Sequence, residues 1–160
     1  MLSQGVQTDD LEFVPFETTL HVRDHCLCLA AQRTARALAR RFDEALRPSG
    51  LTSGQFSLMM ALNRPEPPSA GSVAGFLAMD RTTLTANLKP LERRGLILIA
   101  IDSADRRGRL LTLTQPGLTL LASAVPIWRA THQQTDELLA HEDIEGLRNG
   151  LRTLSASCVS

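Results

Sequence analysis

The chain has 160 residues, 43% of them apolar and 4% aromatic, with no Tyr and one Trp, and its 17 basic and 17 acidic side chains cancel. That length fits one domain with a core of Leu, Ala, Val and Ile. With no run of about 18 apolar residues and no basic-plus-apolar leader, a soluble cytoplasmic protein is expected, and three cysteines argue against a disulfide framework.

In chain order, residues 1–18 lack a period and read as an N-terminal arm, followed by one domain over 19–160. From Leu20 to Leu46 the spacing predicts a long helix. Cys28, Ala31, Ala35, Leu38, Phe42 and Ala45 form an apolar seam, with Arg33, Arg36 and Arg40 off it. Pro48-Ser49-Gly50 ends that helix. Thr52-Ser53-Gly54-Gln55 fits a capping box and predicts a second helix to Asn63. Arg64-Pro65-Glu66-Pro67-Pro68 breaks the chain. A short helix over Ser72–Ala78 follows, with Val73, Phe76 and Leu77 inward, then a tight turn at Met79-Asp80.

Asp80 is placed to cap the next helix, Arg81 to Arg94. Pro90 inside it removes one backbone hydrogen bond and predicts a bend, with the reading face confined to the residues before it. Gly95 ends it. Leu96–Ile101 and Arg109–Leu113 are β-branched and apolar runs around a turn-rich loop, which predicts a hairpin. Thr114 caps a long helix to about Ala140, with Pro116 tolerated in its first turn. Glu142–Leu154 reads as a last helix, whose Glu142, Asp143 and Glu145 suit a first turn.

The stretch from Ser72 to Thr114 carries the function. Its second helix has apolar residues on one side and short hydroxyl and amide groups with flanking cations on the other. From Arg81 to Arg109 there are seven cations and three acids, a net of +4, so the rest of the chain holds −4. A basic patch on an acidic body is the electrostatic footprint of a nucleic-acid binder. Arg81 is suited to guanine. Thr82, Thr83 and Thr85 suit bases, phosphates and thymine methyls, Ala86 lies on the same face, and Asn87 suits adenine. Lys89 is assigned to phosphate.

Several of these segments together resemble the MarR-type transcriptional regulators. They are Asp80-Arg81-Thr82-Thr83-Leu84-Thr85, Leu88-Lys89-Pro90-Leu91-Glu92-Arg93-Arg94-Gly95-Leu96, and Asp105-Arg106-Arg107-Gly108-Arg109 to Leu113-Thr114-Gln115-Pro116-Gly117. The last resembles that family's wing signature, Asp-x-Arg followed by Leu-Thr-x-x-Gly, and the likeness covers about residues 20–155. It implies a mainly α fold with a small β-hairpin wing. A winged helix-turn-helix over about 52–114 would lie between intertwined dimerisation helices, about 20–46 and 115–157.

The resemblance also implies a homodimeric DNA-binding regulator, usually a repressor, with effectors held between the reading head and the dimer helices. Arg107 would be the wing arginine that approaches the minor groove, with Arg106 and Arg109 beside it and Asp105 orienting an arginine. Two heads would then read a pseudo-palindromic operator with half-sites about 10 bp apart.

What controls the binding is less legible. Cys28 resembles, in position, the sensing cysteine of the family's peroxide-responsive members, with Cys26 beside it. Those sensors use tyrosines, and Phe42 and Ser53 stand where the tyrosines would be. Cys28 also suits the apolar seam as a small hydrophobe. His21, His25, Cys26 and Cys28 have some of the donors zinc prefers, but Cys26 points off their common face and no metal is assigned. Cys158 lies near the C-terminus. Phe56, Met59, Met60 and Trp128 with arginines of the first helix would suit an aromatic carboxylate effector, or would be ordinary core. No nucleophile with its base, phosphate loop or cofactor fingerprint is present, so neither enzyme nor cofactor is expected. A winged-helix protein-interaction module is the other alternative.

Overall fold

The computed structural model describes residues 13–103, 105 and 108–157. It divides into two compact units, Met1–Leu38 and Ala39–Ser160.

The first unit holds α1 (Phe16–His25) and the start of α2 (Leu27–Leu46), which runs on into the second unit; one helix from Leu20 was expected. The break is at Cys26, whose backbone is extended at φ −77° and ψ 106°. Cys26 serves both helices. Its N–H donates to the Val22 carbonyl at 3.0 Å and its carbonyl accepts from Ala30 N at 3.0 Å. Its Sγ accepts from Leu29 N at 3.4 Å, an N-cap made by a thiol. Cys28, Ala31 and Ala35 of the predicted seam are exposed in this single chain, and Leu38 is 37% exposed.

In the second unit, α3 (Ser53–Leu62) starts on the predicted capping box, with Gln55 N donating to Thr52 Oγ1 at 3.2 Å and Thr52 N to Gln55 Oε1 at 3.1 Å. Helix α4 (Ala70–Phe76) begins earlier than expected because Ser69, directly after the breaker segment, caps it by accepting from Ser72 N. Its inward side chains are Val73, Ala74 and Leu77. Phe76 was expected inward but is 70% exposed, because the face centred on Val73 and Ala74 carries it outward.

Helix α5 (Arg81–Arg93) runs through Pro90 as one helix. Gly95, at φ 66°, turns the chain out of it. Strands β1 (Ile97–Ile101) and β2 (Arg109–Leu113) pair antiparallel with Ile97 opposite Leu113 and Ile101 opposite Arg109. Ahead of α4, Ser69 bridges Leu110 and the Pro68 carbonyl accepts from Leu111 N at 3.0 Å, which fixes the start of α4 to the hairpin. Helices α6 (Gln115–Glu137) and α7 (Ile144–Ser157) follow. Asp143 caps α7 through Gly146 N, and Arg148 holds α7 to α6 with two hydrogen bonds to Asp136, at 3.0 and 2.9 Å.

In the second unit one core joins the end of α2, α3, α4, α5, the hairpin and α6. Leu46, Leu58, Met59, Val73, Leu91 and Leu111 are its most deeply buried side chains, with Leu84, Leu88 and Leu121 around them. A dense junction ties the reading elements to α6. Thr114 Oγ1 donates to the Gly95 carbonyl at 2.6 Å and accepts from Gly117 N at 3.2 Å, while Thr114 N donates to the Leu96 carbonyl at 3.0 Å. One residue thus joins the end of α5, the start of β1 and the first turn of α6. Arg94 Nη1 donates to the Gly50 carbonyl at 2.7 Å and fastens the same region to the turn before α3.

Candidate nucleic-acid interface

The helix pair that frames the site is α4 and α5, joined by Leu77-Ala78-Met79-Asp80. Ala78 takes a left-handed φ of 50°, and Met79 N returns to the Ala74 carbonyl at 2.9 Å. A residue other than glycine in that conformation carries a local cost, held in place by the packing on both sides. The turn points α5 across α4.

Asp80 then starts α5. Its carboxylate accepts from Thr83 N at 2.8 Å and from Thr83 Oγ1 at 2.7 Å. The Thr83 backbone N–H and then the Thr83 hydroxyl hold the Asp80 carboxyl below its usual range. The carboxylate form therefore favours the folded state above the ordinary carboxylate pKa, and this contribution is lost as pH falls through the lower folded value. Compared with Asp80→Asn, the wild-type advantage in urea midpoint should be full at neutral pH and shrink as pH falls below about 4. A constant difference across that range would exclude the charge as its source.

Leu84, Leu88 and Leu91 bury one side of α5. Arg81, Thr82, Thr83, Thr85, Ala86 and Lys89 are exposed on the others, and Asn87 is half-buried. Thr85 Oγ1 donates to the Arg81 carbonyl at 2.7 Å, and Asn87 Nδ2 to the Thr83 carbonyl at 2.9 Å. The amide of Asn87 is thus held against its own helix. Arg81, Thr85 and Lys89 form one wall of an open groove of about 780 Å³ whose opposite wall is the hairpin, with Asp102, Asp105, Gly108 and Arg109. Leu84, Leu88, Ile99 and Leu111 form its apolar floor, and Glu92 adds a carboxylate. The hairpin tip turns on Gly108, whose N–H donates to the Asp105 carbonyl at 2.7 Å. Arg106, Arg107 and Cys158 lie outside the described residues.

The groove gathers Arg81, Thr85, Lys89, Asp105 and Arg109. Thr82, Thr83, Ala86 and Asn87 lie on the remaining faces of the same helix. Glu92 escaped the sequence reading, although its place four positions after Leu88 in a helix of known register was available. Of the effector candidates, Phe56 and Met59 belong to the core and Met60 is 42% exposed. Trp128 stacks on Phe56 at 6.0 Å and on His132 at 4.9 Å. Cys28 is exposed and accepts from Gln32 Nε2 at 3.3 Å. Among the described residues no group of three or more His, Cys, Asp or Glu is arranged to hold a metal ion, and no helix is long and apolar enough to cross a membrane.

A helix-turn-helix whose second helix faces a two-stranded hairpin across a groove defines a winged helix-turn-helix protein. No protein-family model matches the chain. It is 31% identical over 119 residues to the HTH-type transcriptional repressor NicR of Pseudomonas putida, an overlap of 74% of this chain and 72% of NicR. It is 35% identical over 86 residues to the transcriptional activatory protein BadR of Rhodopseudomonas palustris, of which that match spans about half, 49%. The structure of the M. tuberculosis transcriptional regulator MosR in complex with DNA is similar with a TM-score of 0.75 and 32% identity, over 83% of this chain and 96% of that one. The chain belongs to the MarR family of transcriptional regulators.

Proposed function

We propose that the chain is a homodimeric, sequence-specific DNA-binding repressor, released from a pseudo-palindromic operator by a small-molecule effector. The observation that carries this reading is the shared groove of α5 and the hairpin, where Arg81, Lys89 and Arg109 face solvent beside short polar side chains. Such a surface suits a major groove under the helix and phosphates on both sides, with the wing reaching the minor groove. The α5 residues Arg81, Thr82, Thr83, Thr85, Ala86, Asn87 and Lys89 are assigned to the operator, as are Arg106, Arg107 and Arg109 of the wing, with Asp105 orienting an arginine. NicR is a repressor and MosR was solved on DNA, which supports the same reading here. The exposed seam of α2 supports a partner copy as the surface that covers it.

Binding of the full chain to a duplex of its own upstream region tests this, followed across salt concentrations. The expected result is a retarded complex with protection on two half-sites about 10 bp apart. Its affinity should fall steeply with salt as phosphate contacts release counterions, and Lys89→Ala should reduce the log–log slope by about one per half-site. Binding without a footprint, or a slope unchanged by Lys89→Ala, would overturn the assignment.

A second reading concerns control. Cys26 Sγ already accepts an amide hydrogen at the start of α2, where the aligned backbone favours negative charge. A thiol there is a candidate for oxidation by a hydroperoxide to the sulfenic acid, with the peroxide reduced to an alcohol. Cys26 thus joins Cys28, where the sequence alone favoured Cys28. Operator release by cumene hydroperoxide that disappears in Cys26→Ser supports it, and release unchanged in that variant overturns it.

A further inference from the structure

The hydrogen-bonding state of α5 narrows what it can read. Thr83 donates its hydroxyl to Asp80, Thr85 donates its hydroxyl to the Arg81 carbonyl, and Asn87 donates an amide hydrogen to the Thr83 carbonyl. A threonine whose Oγ1 lies back on its own helix carries its methyl outward. Next to Thr85 is the exposed methyl of Ala86, on the side of the helix away from the buried Leu84 and Leu88. The middle of α5 therefore offers methyl groups and acceptor lone pairs, with one amide hydrogen of Asn87 remaining, and its other side-chain donors are Arg81 and Thr82 in the first turn and Lys89 beyond.

In the major groove both A·T and G·C pairs present an amino donor, on adenine N6 or cytosine N4, but only A·T presents a methyl group, on thymine. We infer that Thr85 and Ala86 are specificity-determining residues that select A·T pairs through thymine 5-methyl groups, while Arg81 supplies the fork suited to guanine. This rests on the DNA-binding reading above and adds to it the base class that the middle of the helix selects.

The test uses the full chain and a pool of synthetic duplexes with a randomised core of roughly two helical turns. The duplex recovered by repeated selection is remade with deoxyuridine in place of thymine, one half-site position at a time. Each methyl buried against Thr85 or Ala86 should be worth on the order of fourfold in affinity. Thr85→Ser, which keeps the hydroxyl and removes the methyl, should bring the thymine-to-uracil ratio at its position to one. Thr85→Val, which keeps the methyl and removes the hydroxyl, should preserve that ratio. A thymine duplex that is bound and footprinted but loses nothing on uracil substitution would overturn the methyl readout and leave the DNA-binding reading intact. The same readout is overturned if Thr85→Val abolishes the ratio and Thr85→Ser keeps it. Recovery of no preferred duplex overturns both.

Discussion

Gly117→Ala should destabilise the protein by about 3 kcal/mol, at the upper end of what an added methyl costs in a packed site. A Cβ at this position would lie inside the van der Waals envelope of the Leu96 carbonyl oxygen, 3.0 Å from the Leu96 carbonyl carbon and 3.4 Å from a Leu113 methyl. Two of the three obstacles are backbone, which cannot rotate away. The only relief is to move the first turn of α6 off the start of β1, and that turn is held there by Thr114. Equilibrium unfolding in urea measures the loss. Gly75→Ala is the control, since nothing lies within 4 Å of a Cβ there. In the helix α4 it should be neutral or should stabilise by roughly 0.5–1 kcal/mol. Equal midpoints for the two variants would mean that the junction of α6 with β1 is not tight.

Arg81→Ala should weaken operator binding by roughly 1–3 kcal/mol per half-site, about 5- to 150-fold, without lowering the unfolding midpoint. Arg81 stands at the first position of α5, is exposed and lines the groove, so its guanidinium is lost from the interface and not from the core. Arg81→Lys separates its two roles. A lysine keeps the positive charge near phosphate but not the planar fork that grips a guanine edge. The lysine variant should therefore retain affinity for unrelated duplex DNA and lose preference for the operator. Fluorescence anisotropy with operator and scrambled duplexes reads both quantities. If alanine and lysine variants lose equally on both duplexes, Arg81 contributes charge alone.

How much of this was legible beforehand depends on how local the signal is. The capping box at Thr52, the cap at Asp80, the cap at Thr114 and the turn at Gly95 are short-range hydrogen-bond patterns. Each begins or ends an element where the sequence placed it. The break at Cys26 was not legible, because cysteine is not a usual N-cap and no Gly or Pro stands between Leu20 and Leu46. Ser69 was hidden for a related reason. Its neighbours Pro67 and Pro68 read as a breaker, yet the Pro68 carbonyl and Ser69 form the link to β2. Phe76 failed because a short helix has few residues from which to fix its inward face.

The candidate site was legible in composition but not in its hydrogen bonding. The sequence lists hydroxyls and an amide on α5 as equivalent polar groups. Only the folded helix shows that Thr83, Thr85 and Asn87 turn donors inward, so that the polar face is partly apolar at its surface. The groove itself depends on a pairing between residues far apart in the chain. Lys89 and Arg109 become neighbours of one cleft only once β2 is held to Ser69 and α5 to β1.

The hydroxyl of Thr114 has a mechanical consequence. With α5, the hairpin and the first turn of α6 joined at one residue, the reading elements travel with the N-terminal end of α6. That helix has 23 residues, a lever of roughly 35 Å at 1.5 Å rise per residue, so a tilt of about 5° about its far end swings the head by ~3 Å. That displacement is close to the rise of one base pair.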